Sequence, residues 1–314
     1  MSRSSPAQVD AASERAIDFT RNFIRSKSPC ADGFRWFLRN HHPGSNYQHV
    51  LDTLVDAGRV DDACWLLDQL GPTNTLLQVD FLSAEAVVFA GTIEARRGID
   101  VGAVLRAGRS IRSGGGIAAG SALVAGDELR SRGAIRAGGR IATGGDVHAE
   151  WGVEAGGRFE CGGNLKSAGL VTAREGLRVE GDASVRDDLL VEGDLECGKA
   201  LRVTGRIAAS GDLRVASGIE CGVAVEAGRH LDAGLGIRAS GPISAGGAIR
   251  AGESIWTEGE LSAGPGYGVY AGLAVALDAW ESSAAVTART RPAHLLSGHW
   301  CGHAAAALPS AQEA

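Results

Sequence analysis

The chain has 314 residues, of which 46 are glycine and 5% aromatic. Glycine this abundant without Gly-x-y periodicity suits a low-complexity chain, yet a hydrophobic fraction of 44% excludes disorder throughout. A net charge of -6, with acids and bases interspersed, argues against a general nucleic-acid binder and favours solubility.

Residues 1–8 read as disordered. Residues 9–75 read as a small α-helical domain. Apolar residues recur at helical spacing in AIDFTRNFI, FRWFL, VLDTLV and ACWLLDQL. Breakers separate these segments at Ser28-Pro29, Pro43-Gly44, Gly58 and Gly71-Pro72. Phe34, Trp36, Trp65 and Leu66 are the expected core, and the domain is expected to cover the N-terminal end of the neighbouring repeat region.

Residues 79–266 read as a hexapeptide-repeat β-solenoid. Stepping by six from Ile93 gives Ile99, Leu105, Ile111 and onward to Ile255 and Leu261. These are 29 consecutive positions, aliphatic except Phe159 and the small Ala183, with no insertion. Two residues beyond each stands Ala, Val, Ser, Thr or Cys. Residues i and i+2 share a strand face, so each hexad is a short strand with one large and one small inward side chain. Glycines gather at i+3 and i+4, where corners need small residues. A helix fails, because six residues do not return to one face and repeated glycine costs ~1 kcal/mol apiece.

The outward i+1 positions set the number of hexads per coil. At every third hexad, Glu160, Arg178, Glu196, Arg214, Asp232 and Arg250 alternate in sign. Stacked ~4.8 Å apart, opposite charges help and like charges hurt. The pattern predicts 18 residues per coil, a triangular section and about nine or ten coils, a rod of ~45 Å. A second face carries Arg112, Arg130, His148, Lys166, Arg202 and Arg238, interrupted by Ser184 and Glu220. The third is smoother, with Ala118, Thr172, Leu190, Ala208, Ser244 and Ser262 among a few charges. The basic face is the candidate binding surface.

Residues 267–303 read as a C-terminal β cap, with GVYAGLAVALDAW and AAVTART as two longer strands, and 304–314 as a disordered tail. His294, His299, Cys301 and His303 carry zinc-ligand chemistry, although H-x-C-x-H is not a usual structural-zinc spacing. No cofactor is expected. The six cysteines include no C-x-x-C pair and read as reduced thiols of a cytoplasmic protein. No run reaches the ~20 apolar residues of a transmembrane span.

The repeat resembles two families. Its hexad spacing resembles the acyltransferases built on left-handed β-helices, which implies a catalytic His; His148 and His230 are the repeat histidines here. In those enzymes, however, the small residue precedes the aliphatic one by two, and a loop interrupts the repeat. The run LRVEGDASVRDDLLVEGDLECGKALRVTGRIAASGDLRVASG, Leu177 to Gly218, resembles the bactofilins. That resemblance covers the repeat alone. It implies a β-helix core and, for the family, end-to-end polymerisation without nucleotide as membrane-associated bacterial scaffolds. Flanking caps would block such polymerisation. The leading expectation is a non-enzymatic scaffold that binds a protein partner or itself, with no specific nucleic acid. A divergent acyltransferase-like enzyme and an effector or defence-related binding protein are the alternatives.

Overall fold

A computed structural model describes residues 21–40 and 46–302. The fold is mainly β: a parallel β-solenoid of about 12 turns, ~18 residues per turn, preceded by helices. The expectations for residues 1–8 and 304–314 lie outside the described residues, as do His41, His42 and His303. By its contacts the chain divides into two units, residues 1–150 and 151–314.

The first unit begins with four helices, α1 (Arg21–Ser26), α2 (Ala31–Asn40), α3 (Tyr47–Asp56) and α4 (Val60–Leu70). Their ends follow local chemistry. Asn46 caps α3, its Oδ1 accepting from the His49 N–H at 2.8 Å. Asp61 and Asp62 place negative charge at the start of α4. Phe37, Val50, Leu51, Leu54, Leu66 and Leu67 are buried together. Phe34, Trp36 and Trp65, expected in the core with Leu66, are only partly buried against it. Phe37 is the residue of α2 that is buried in this core.

Short strands then begin every six residues. In the first unit Ile93 faces Ile111, Ile111 faces Leu129 and Leu129 faces Val147, each pair parallel and 18 residues apart. Ile99, Ile117 and Ile135 align likewise, as do Leu105, Leu123 and Ile141. Three strands per turn make three walls. The second unit repeats the arrangement, with Val153 facing Val171, Phe159 facing Leu177 and Leu165 facing Ala183. Every aliphatic hexad position from Ile93 to Leu261 is buried, most of them to 0–2% exposure. Each such side chain contributes roughly 1.5–3 kcal/mol relative to exposure. Turns stack closely enough that some corners admit no side chain: a Cβ at Gly120 would lie 1.8 Å from the Gly102 carbonyl oxygen.

The small inward residues do more than fill space. Several hydroxyls and thiols at this position donate to the corner carbonyl 16 residues earlier. Ser131 Oγ bonds the Gly115 oxygen at 2.6 Å, Thr143 Oγ1 bonds Asp127 at 2.6 Å and Ser167 Oγ bonds Trp151 at 2.8 Å. Cys197 and Cys221 act alike on Gly181 and Gly205, at 3.4 and 3.1 Å.

Twelve turns replace the nine or ten counted from the hexads. Pairing persists at both ends where the six-residue step fails. At the N-terminal side, Leu76–Ala84 pairs with Thr92–Val101 across a bulge, Leu76 facing Thr92 and Leu82 facing Ile99. At the C-terminal side, Val269 faces Ile249 and Val286 faces Ile255. The two longer strands expected there are replaced by two- and three-residue strands, Val269–Tyr270 and Ala285–Thr287. Leu277–Ala279 and Trp280–Ser283 between them are helical. Strand length is set by the wall, not by the length of the apolar run.

Candidate interaction surfaces

The sign-alternating row lies in the second unit as the sequence implies. Glu160 faces Arg178, which faces Glu196, then Arg214, Asp232 and Arg250. Arg178 and Arg214 both reach Glu196, at 3.5 and 3.8 Å, and Arg250 reaches Asp232 at 3.1 Å. These side chains are 32–59% exposed, so each pair is worth only about 0–1 kcal/mol. Beside the row, Gly198 and Ala216 line a shallow trough of about 300 Å³ that also carries Arg178, Glu180, Glu196 and Arg214.

The basic residues behave differently in each unit. In the first, Arg112 is held by Glu94 and Glu128 at 3.2 and 3.1 Å, while Arg130 faces Arg112 and His148. In the second, Lys166 faces Ser184, Arg202 pairs with Glu220 at 3.1 Å, and Arg238 lies over the Trp256 ring at 4.6 Å. Acidic register neighbours neutralise Arg112 and Arg202, and the face is less basic than its i+1 residues suggest.

Corners carry a second ladder that the sequence pattern did not suggest. Asp194 Oδ1 accepts from the Asp212 N–H, Asp212 Oδ1 from the His230 N–H, and His230 Nδ1 from the Ala248 N–H, at 2.8, 3.1 and 3.0 Å. Asp182 and Asp188 do the same for Ala200 and Arg206. The signal was present as acidic residues just before the aliphatic position, one turn apart. The Asp212 N–H, with Arg229 added, holds the Asp194 carboxyl below the ordinary carboxylate range. His230 also meets the Tyr267 ring edge-on at 5.3 Å.

The helices close one wall of the first turn. Gln48 Nε2 donates to the Val88 carbonyl at 3.0 Å, and the Ala90 N–H donates to Gln48 Oε1 at 2.9 Å. The side-chain amide thus pairs with the strand Val87–Phe89 as a neighbouring strand would. Asp52 orients it by accepting from Nε2 at 2.8 Å. Burial pushes the Asp52 carboxyl up. Val88 joins the helical core although it faces outward from its wall. Arg106, on the next rung, pairs with Asp68 of α4. Burial raises the pKa values of the nearby Tyr47 hydroxyl and Cys64 thiol. No sequence pattern marks Gln48; only the docking of α3 reveals it.

At the C-terminal side, His294, His299 and Cys301 are exposed, and Cys301 Sγ donates to the His299 carbonyl at 3.6 Å. Among the described residues no three His, Cys, Asp or Glu side chains are grouped to hold a metal. No helix among them is long and apolar enough to cross a membrane.

Fold and surfaces together define a β-solenoid protein with an N-terminal helical region. Within it, residues 16–71 match the model of the family described as the YdhT N-terminal domain. No curated protein and no solved structure matches the chain.

Proposed function

We propose that the protein is a non-enzymatic scaffold: a rigid β-solenoid that presents flat walls and a helical domain to a protein partner. The observation that carries this reading is the unbroken six-residue step from Ile93 to Leu261. It builds walls of mostly three-residue strands with short corners and no loop on which a catalytic group could be mounted. Stacked small units joined by close corners suit a surface that must hold its shape. The bactofilin-like motif of Leu177 to Gly218 supports a bacterial, cytoplasmic scaffold of this kind. The Gln48 cap favours a discrete assembly over end-to-end growth, because it occupies one strand edge that growth would need. Affinity purification from the native host, followed by sedimentation analysis, tests the reading. Recovery of a stable partner or an oligomer supports it; a lone monomer with no partner refutes it.

A further inference from the structure

The alternating row in the second unit is self-complementary, and we propose that this wall binds a second copy of the chain in an antiparallel two-fold dimer. In order along the wall stand Glu160, Arg178, Glu196, Arg214, Asp232 and Arg250. An even number of alternating charges, read backwards, has the opposite sign at every position. Two walls can face each other about either of two dyads. A dyad along the stacking direction keeps the rung order and sets like charge on like. A dyad parallel to the strands reverses the order and sets Glu160 against Arg250 of the second copy, Arg178 against Asp232 and Glu196 against Arg214. Each contact then occurs twice, as an isologous interface requires. Charge alone selects the second arrangement, since like-charge juxtaposition costs several kcal/mol.

The shape of the wall is compatible. Next to five of the six charged strands stands a small residue: Gly162, Gly198, Ala216, Gly234 or Gly252. The remaining strand is followed by Glu180, which holds Arg178 at 2.7 Å and is the one charge at these six positions. Elsewhere the charged side chains are the main projections, and the trough at Gly198 and Ala216 leaves room for the partner's Arg214. The dyad passes between Glu196 and Arg214, beside that trough. Arg178 is already held by Glu180 and Glu196, and Arg214 by Asp212 and Glu196. Each arginine carries five donors in a planar fork, so donors remain for the partner's carboxylate.

The size of the wall sets the strength. Six rungs at ~4.8 Å span about 29 Å, and five residues at ~3.3 Å span about 16 Å. That is about 450 Å² per copy, roughly half the ~800 Å² of a standard interface. The dimer is weak, electrostatic and salt-sensitive. The inference rests on the scaffold reading only in treating the walls as contact surfaces. Loss of the dimer would leave capture of a partner by the helical domain untouched.

Light scattering on the full chain tests it. Wild type associates at about 50 mM NaCl and dissociates at about 500 mM. Arg214→Glu sets Glu196 against a carboxylate twice across the dyad and weakens association about tenfold or more. Glu196→Arg sets two arginines together and does the same. An equimolar mixture of the two variants restores the dimer, because each reversed charge meets its opposite on the other chain. A misfolded variant could not give this rescue, and circular dichroism confirms the fold of each. A wild type that stays monomeric at low salt, an Arg214→Glu variant that still dimerises, or a mixture that stays monomeric would each overturn the proposal.

Discussion

Replacing Gln48 with alanine strips the first strand of its amide partner. The Val88 carbonyl loses its donor, and the Ala90 N–H loses its acceptor. Both residues are buried, at 2% and 1% exposure, so neither group regains full hydration. A buried unsatisfied backbone group costs about 1–3 kcal/mol. Gln48 itself is half-buried, and a water entering its place would satisfy one of the two groups. The expected loss is therefore about 1–3 kcal/mol. It falls on the end turn, and local opening is its first symptom. Hydrogen exchange at the Ala90 amide should accelerate about 5- to 150-fold, with a smaller effect on amides of the second unit. Gln48→Glu sharpens the test. A carboxylate still accepts from Ala90 but cannot donate to Val88, and it stands against Asp52, whose own ionisation burial already disfavours. This variant is worse than alanine at neutral pH, and its deficit shrinks as acid restores a donor. Exchange at Ala90 that is unchanged in Gln48→Ala would show that the amide does not close the end.

The same geometry sets three other outcomes. Phe159→Ala empties the largest fully buried site and should cost about 3–5 kcal/mol in urea unfolding; a loss below about 1 kcal/mol would mean that the wall collapses to fill it. Iodoacetamide should label the exposed Cys30 and Cys301 in the native protein, while the buried Cys161, Cys197 and Cys221 react only after unfolding. Burial pushes the Cys197 and Cys221 thiols up and keeps them protonated at neutral pH, so mass spectrometry of labelled peptides should separate the two groups. Asp194 has a depressed folded-state pKa, so its contribution to stability is present above the unfolded value and is lost as pH falls through the folded one. Asp194→Asn should be less stable than wild type at neutral pH, and the gap should close below about pH 4; a gap independent of pH would show that the charge is not what Asp194 supplies.

The sequence alone determined the walls. Large residues every six positions, small ones two further on, and charges alternating every 18 are local regularities, and a parallel stack turns such regularities into register. The burial of Ile93 through Leu261 and the facing of Glu160 with Arg178 were legible for that reason. The helix boundaries were legible from their breakers. Tertiary structure decided the ends, where pairing outlasts periodicity. The bulged strand Leu76–Ala84 and the rungs at Val269 and Val286 lie at offsets that no repeat announces. It also decided the partners of lone polar groups. Gln48 becomes a cap only because α3 docks on Val88. A repeating contact is written once per repeat and can be read from the chain, whereas a contact made once depends on how distant segments meet.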